Sequence, residues 1–160
     1  MKRSKYLIPL SWEHHAALVN ANRVKRGLEI MAQEQIIREF IDYVWKTDLH
    51  PHFDREESVL ATGADWQKVP EEFRRHMLDD HREFELLAKT IAEEDDTDRL
   101  REAMIRFSDL LDAHVRFEER QLFPAIEKVY DKTTLQRAGK ELKKRHVPGC
   151  VIWKPEFWKK

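Results

Sequence analysis

The sequence predicts an all-α protein, an antiparallel up-down four-helix bundle followed by a short C-terminal helix and a tail. Apolar residues recur at helical spacing in four long stretches, and no stretch has the alternation of a strand. The connections between the four stretches are short, which favours antiparallel neighbours. A His-x-x-x-Glu-Glu pattern occurs twice, and on a helix this spacing places the histidine and the first glutamate on one face.

Length and composition indicate a single domain over residues 1–160, with the bundle at about 11–130 and the helix and tail at about 131–160. Lys and Arg (29) nearly balance Asp and Glu (30), and a net charge of −1 argues against a nucleic-acid partner. The single Cys150 cannot form an internal disulfide. No apolar run approaches the roughly 20 residues of a membrane span. We therefore expect a cytoplasmic protein without a membrane partner.

The first helix is predicted from Ser11 to about Met31. Ser11 is a suitable N-cap after a basic, extended lead-in that ends at Pro9. Gly27 marks a weak point near the end of this helix, because glycine lowers helix stability.

The second helix is predicted from about Gln33 to Ala61 and contains Pro51, one residue before His52. A proline inside a helix removes a hydrogen bond, kinks the helix and costs about 3 kcal/mol or more. A locally unfavourable residue beside a candidate ligand is typical of functional sites. The segment 62–70 is predicted to be a connection.

The third helix is predicted over about Glu71 to Glu93. Thr97 or Asp98 then caps a fourth helix, which runs to about Tyr130 and bends at Pro124.

A short amphipathic helix is predicted from about Thr134 to Arg145. The tail from Val151 to Lys160 is aromatic and basic, with Trp153, Phe157 and Trp158. We expect it to cover the core, and a homodimer contact is the alternative.

The repeated motif carries the chemistry of this chain. One copy begins at His52 and has Glu56, and the other begins at His114 and has Glu118, 62 positions later. A single copy would be an ordinary solvated pair, but two copies with matching flanks indicate a site. His14 and His15 near the start of the first helix, and His81 in the third, complete the set.

The histidines divide the chain into two similar helical hairpins. The gap from His15 to His52 is 37 residues and that from His81 to His114 is 33. Antiparallel winding brings all of these positions to roughly the same end of the bundle. Imidazoles with carboxylates suit iron, manganese or zinc, and two carboxylates on facing helices can bridge a pair of cations. The alternative is that each histidine bonds to backbone or faces water. This alternative is the better explanation of any single histidine, but not of the full set at these spacings.

At these residues the chain resembles the hemerythrin-like proteins, the HHE cation-binding domain family, over about Leu10 to Ile126. The resemblance rests mainly on the two motif copies, the second followed by Leu122-Phe123-Pro124. It implies a four-helix bundle that holds two iron ions, with zinc or manganese as substitutes. It also implies terminal histidines and bridging glutamates. The implied metal ligands are His14 or His15, His52, Glu56, His81, His114 and Glu118.

The chain departs from the family's oxygen carriers at two positions. Those proteins have a second histidine one turn after the first on the third helix, where this chain has Glu85. They also place an aspartate five residues after the last histidine, whereas Glu118 stands at four. The pattern is closer to the branch that includes iron sensors and iron-centre repair proteins. Whether Glu85 coordinates or pairs with Lys89 in solvent stays open.

The helix-one ligand also stays open between His14, which follows the apolar stripe, and His15, whose apolar neighbours match those of the oxygen carriers. The remaining histidines, His50, His76 and His146, are expected at the surface.

These features predict a non-haem di-iron protein that binds or senses oxygen, nitric oxide, peroxide or iron, rather than an enzyme. One alternative is a redox enzyme that acts on peroxide or repairs iron centres. Another is a structural bundle stabilised by metal. Hydrolase chemistry is not expected, because Cys150 has no placed partner.

Overall fold

A computed structural model describes residues 3–149 and 152–160, and it confirms the predicted all-α class. The α-helices of these residues are α1 (Ile8–Glu29), α2 (Glu34–Val44), α3 (His50–Arg55), α4 (Gly63–Trp66), α5 (Glu71–Glu93), α6 (Thr97–Phe117), α7 (Phe123–Val129) and α8 (Lys132–Lys144). Three π-helical segments are π1 (Trp45–Leu49), π2 (Glu56–Leu60) and π3 (Glu118–Leu122). The four bundle helices are α1, the continuous stretch from α2 to π2, α5, and the continuous stretch from α6 to α7.

The start of α1 differs from the prediction. The helix begins at Ile8, so Pro9 lies in its first turn and Ser11 is not the N-cap. Proline is tolerated there because the first N–H groups of a helix have no partner within the helix. The Ser11 hydroxyl instead donates a hydrogen bond to Glu119 Oε1 at 2.6 Å.

Two aspartates cap later helices. Asp96, not Thr97 or Asp98, caps α6, because its Oδ1 accepts from the Arg99 backbone N–H at 2.9 Å. Asp131 accepts from the Thr134 N–H at 2.8 Å, so α8 begins earlier than predicted. The connection over 62–70 contains the short α4, and its Gly63 has a φ of 77°, which glycine adopts without strain.

The π segments explain how two prolines fit within long helices. Pro51 stands in the first turn of α3 directly after π1, and Pro124 stands in the first turn of α7 directly after π3. The wider turn before each proline lets the helix continue without a hydrogen bond from proline. Both π2 and π3 begin at a motif glutamate, Glu56 or Glu118. Such bulges occur frequently at functional sites.

Two hydrophobic clusters fill the bundle, and a polar layer separates them. The tail-side cluster contains, among others, Ala17, Phe53, Phe84 and Val115, and the α8-side cluster contains Leu10, Leu60, Met77 and Leu122. The first and third bundle helices pass from the α8-side cluster to the tail-side cluster, and the second and fourth pass the opposite way. This alternation is the one expected of an antiparallel up-down bundle. The motif histidines and glutamates lie where each helix crosses between the clusters.

The C-terminal tail covers the core, as predicted for its aromatic part. Phe157 and Trp158 are buried in the tail-side cluster. Gly27 also meets a packing requirement, because a Cβ there would lie 2.5 Å from the Phe157 ring. The homodimer contact stays a prediction, and Cys150 lies outside the described residues. None of the described helices is long and apolar enough to cross a membrane.

Candidate metal centre

Within residues 3–149 and 152–160, the polar layer contains two groups of side chains that could hold a metal ion, and the two groups share both glutamates. The first group is His14, His52, Glu56 and Glu118, and the second is His81, His114, Glu56 and Glu118. All of these side chains are buried, and the donor atoms within each group lie within 4.8 Å of one another. Each group could hold one ion, and each bundle helix supplies one histidine.

Each glutamate faces one histidine of each group. The Oε1 of Glu56 lies 3.1 Å from His52 Nε2, and its Oε2 lies 3.4 Å from His81 Nε2. For Glu118, Oε2 lies 3.0 Å from His14 Nε2 and Oε1 lies 3.3 Å from His114 Nε2. The two oxygens of each carboxylate therefore lie beside histidines of different groups, so each glutamate could bridge an ion in one group and an ion in the other.

A second layer of carboxylates holds the outer nitrogen of every histidine. The Nδ1···O distances are 2.7 Å for His14 and Glu119, 2.5 Å for His52 and Glu13, 2.7 Å for His81 and Glu57, and 2.9 Å for His114 and Asp80. A carboxylate on Nδ1 fixes the proton there, so the lone pair of Nε2 points into the site. Each bundle helix supplies one carboxylate that accepts from the histidine of a neighbouring helix, and these contacts run once around the bundle. We call the four carboxylate side chains, Glu13, Glu57, Asp80 and Glu119, the outer acids.

The outer acids were missed in the sequence, although a signal was present. Glu57 and Glu119 are the second glutamates of the two Glu-Glu pairs, and Glu13 and Asp80 directly precede His14 and His81. Adjacent residues on a helix point in directions about 100° apart. One residue of each pair therefore faces the inside of the site, and the next reaches a neighbouring helix. Only the packed bundle identifies which histidine each acid meets.

Several inner atoms of the site are buried without a hydrogen-bond partner. Both carboxylate oxygens of Glu56 and of Glu118 make no hydrogen bond, and neither does Nε2 of His81. The Nε2 atoms of His14 and His52 face each other at 3.1 Å. Buried anions and opposed lone pairs are costly unless a cation joins them. The donor set therefore fits two metal ions.

Charges in the site shift the pKa values of its groups when no metal is bound. Burial lowers the pKa of His52, but the charge on Glu56 and the hydrogen bond to Glu13 outweigh it and raise that pKa to about 10. Burial also lowers the pKa of His81, but the nearby charge of Glu56 and the hydrogen bond to Glu57 outweigh it and raise that pKa to about 9. Although burial opposes the shift, contact with His52 lowers the pKa of Glu13 to about 2. Protons thus take the place of metal charge at neutral pH.

Metal binding is therefore expected to release protons. A bound metal needs neutral imidazoles, so His52 and His81 must each lose a proton below their raised pKa values of about 10 and about 9. Each displaced proton weakens apparent affinity about tenfold per pH unit, so lowering the pH from about 8 to about 7 should raise the product of the two dissociation constants about a hundredfold. Calorimetric titration with zinc in buffers of different ionisation enthalpy counts the protons, and heats that do not depend on the buffer would contradict this expectation.

The structure brings one of the two helix-one histidines into the site. His14 is 3 % exposed and belongs to the first donor group, whereas His15 lies on the exposed side of α1. Glu85 is also exposed and belongs to neither donor group. His50 and His76 are exposed, as predicted. His146 is half-buried, contrary to the prediction, and its Nδ1 bonds to Glu13 Oε1 at 2.8 Å.

Adjacent alanine substitutions distinguish the two helix-one histidines. His14→Ala should lower the metal content of the purified protein by about one ion per chain and weaken binding by more than about a hundredfold, because losing a mere outer partner already costs about 10–100-fold. The matched variant His15→Ala should keep the full metal content. Elemental analysis after loading and desalting measures both, and equal losses from the two variants would overturn the assignment of His14.

Comparison with known proteins agrees with the geometry. The family model described as the hemerythrin HHE cation-binding domain matches residues 10–126, and a second, overlapping match covers residues 72–146. No curated protein and no solved structure matches the chain. The longer match spans all four bundle helices and every residue of the two donor groups.

Proposed function

The chain belongs to the hemerythrin HHE cation-binding family, and from this premise we propose that it is a non-haem di-iron protein that binds or senses a small ligand such as O2 or NO. The observation that carries the proposal is the sharing of Glu56 and Glu118 between two groups of buried histidines. Shared carboxylates hold two ions close together and offset their charge. His14, His52, Glu56, His81, His114 and Glu118 are the proposed ligands.

The donor chemistry supports iron and leaves room for a ligand. Each ion would have two imidazole nitrogens and two carboxylate oxygens, fewer donors than an octahedral ion takes. Iron in such a site supplies Lewis acidity and one-electron chemistry. Zinc or manganese suits the same donors, and zinc binds more tightly than ferrous iron in the general order of affinities. The coordination positions that the protein donors would leave unfilled favour a binding or sensing role over a purely structural one, because structural metal sites are usually closed.

A small cavity beside the first donor group supports a ligand of few atoms. It has a volume of 20 Å³ and touches His14, His52 and His114. Such a volume holds about one water-sized molecule. The rest of its lining is mostly aliphatic and includes Ala16, Ala17, Val44, Leu111 and Val115. A chamber of this size, whose lining also includes Glu13, Asn20 and Asp48, favours a diatomic ligand over a bulky substrate.

The third bundle helix supports sensing rather than reversible oxygen carriage. His81 is the one histidine that α5 gives to the donor groups, and the exposed Glu85 lies outside them. We propose that Glu85 does not coordinate, which leaves the ion at His81 with one fewer protein ligand than in the oxygen carriers. The coordination position that this leaves at His81 adjoins a separate cleft lined by Glu57, His81 and Glu85, so a small ligand would have access there as well as beside His14 and His52.

The test is metal analysis and ligand titration of iron-loaded protein. We expect about two iron ions per chain and an absorption spectrum that changes on addition of azide in air or of nitric oxide without air. The Glu85→Ala variant serves as the matched control and should have the same spectrum and the same azide affinity. Absence of bound metal after iron-supplemented growth would refute the proposal. Peroxide turnover above a free-iron control would favour the enzyme alternative instead.

A further inference from the structure

The two halves of the site are related by an internal repeat. Glu13-His14 of the first hairpin corresponds to Asp80-His81 of the second, 67 residues later. The motif that begins at His52 corresponds to the one at His114, 62 residues later. Each half supplies one histidine pair, one shared glutamate and two outer acids. In its anions and ligands, therefore, the site is nearly symmetric.

Cations break this symmetry on the side of His14 and His52. Arg55 Nη2 lies 2.6 Å from Glu13 Oε2, and Arg3 Nη2 lies 3.0 Å from Glu119 Oε2. Each outer acid on this side is thus paired with an arginine. Arg55 is 3 % exposed, so water and salt screen its charge only weakly.

Among the described residues no arginine or lysine makes a close ion pair with the outer acids on the other side, where Arg82 acts on Glu57 and Arg106 on Asp80 only at longer range. Phe117 stands 62 residues after Arg55, at the corresponding position, and it carries no charge. Its ring stacks at 3.8 Å on the ring of His76, whose Nε2 lies 3.3 Å from Asp80 Oδ2. His76 is an exposed imidazole and a weaker counter-charge than a buried guanidinium. Glu57 bonds only to His81, and its side chain is 47 % exposed.

From this difference we propose that the two metal positions are unequal, and that the position at His81 and His114 preferentially holds the more highly charged ion of a pair. On the side of His14 and His52, Arg55 offsets the charge of Glu13, and Arg3 offsets part of the charge of Glu119, since it also pairs with Glu127. On the other side Asp80, whose side chain is only 12 % exposed, has the exposed His76 at 3.3 Å and Arg106 only at longer range, so more of its negative charge stays uncompensated. Extra positive charge is stabilised next to that anion and opposed next to Arg55. The inference rests on the proposed function, since it presupposes two bound ions.

The experiment loads the protein with one equivalent of ferric citrate and one of zinc, so that a trivalent and a divalent ion compete without any redox step. Anomalous scattering from crystals at the iron and zinc absorption edges then locates each metal. We expect iron at His81 and His114 and zinc at His14 and His52, with a preference of at least about tenfold. Equal or reversed occupancy with both positions filled would overturn the inference. Fewer than two bound metals would count against the proposed function instead.

Two variants test the cause of the preference. Asp80→Asn removes the uncompensated anion, and Arg55→Met removes the buried cation from the other side. Each should lower the iron-to-zinc preference several-fold. Glu83→Gln is the control, because it removes a charge from the helix of Asp80 but from an exposed pair with Arg106. The iron-to-zinc preference of this variant should equal that of the unmodified protein. If Arg55→Met fails to fold, Asp80→Asn decides alone, and an unchanged preference in that variant would refute the electrostatic cause.

Discussion

Replacing Glu118 with alanine should empty both metal positions. Its two carboxylate oxygens face His14 and His114, which belong to different donor groups. Loss of one shared ligand therefore removes a donor from both ions and also the negative charge that offsets their repulsion. We expect each ion to bind more than about a hundredfold more weakly, since loss of an outer partner alone costs about 10–100-fold.

Two matched variants distinguish a bridging role from general damage to the fold. His114→Ala removes a donor from one group only, and should lose about one ion per chain while keeping part of the other. Glu102→Ala changes an exposed residue of the same helix and should keep both ions. Metal content by elemental analysis, with circular dichroism to monitor helix content, measures all three. Retention of one ion by Glu118→Ala would contradict a shared carboxylate.

Removing the metal should lower the melting temperature by at least about 10 °C. One ion at 100 times its dissociation constant stabilises the native state by about 2.7 kcal/mol, so two contribute about 5 kcal/mol. A domain of this size shifts by about 2–4 °C per kcal/mol. Calorimetry before and after chelation measures the change. Glu118→Gln should show a much smaller dependence on metal, and a melting curve that chelation does not move would favour histidines with no metal role.

The pH dependence of the metal-free protein follows from its raised histidine pKa values. A histidine with a folded pKa above the usual 6.5 adds stability that is complete below pH 6.5. For His81 and His52 this stability disappears as the pH rises through about 9 and about 10. The gap in melting temperature between loaded and stripped protein should therefore widen from neutral to alkaline pH.

Much of the fold followed from the sequence because helical periodicity is a local property. The bounds of α5 match the prediction at both ends, and the two motif copies lie on the second and fourth bundle helices, as expected. Features that depend on neighbouring helices did not follow. The choice between His14 and His15 depends on which of the two side chains points toward the other helices. The apolar face of the first helix is broad enough to include either position. Pro51 and Pro124 indicated disturbed helices, but the π segments that accommodate them did not follow from the sequence, because their register is set by backbone hydrogen bonds rather than by residue type.

The start of the first helix was predicted too late because Pro9 was assigned to the extended segment before it. Pro9 looked like the end of an extended segment, although the same residue fits the first turn of a helix equally well. Which of the two occurs depends on burial, and Leu7 and Leu10 on either side of Pro9 are both buried in the α8-side cluster. A long-range contact therefore determined the helix start.

The repeat within the site has a consequence for how such a centre can arise. One hairpin with an acid-histidine pair on its first helix and His-x-x-x-Glu-Glu on its second already contains every inner and outer group of half the site. Two identical hairpins placed face to face would supply the whole set, since Glu57 and Glu119 each cross to the opposite hairpin. A single chain that holds both copies has a freedom that identical copies lack: each half can change alone. Arg55 and Phe117 occupy corresponding positions with opposite character, and such a difference is available only when the two halves are encoded separately.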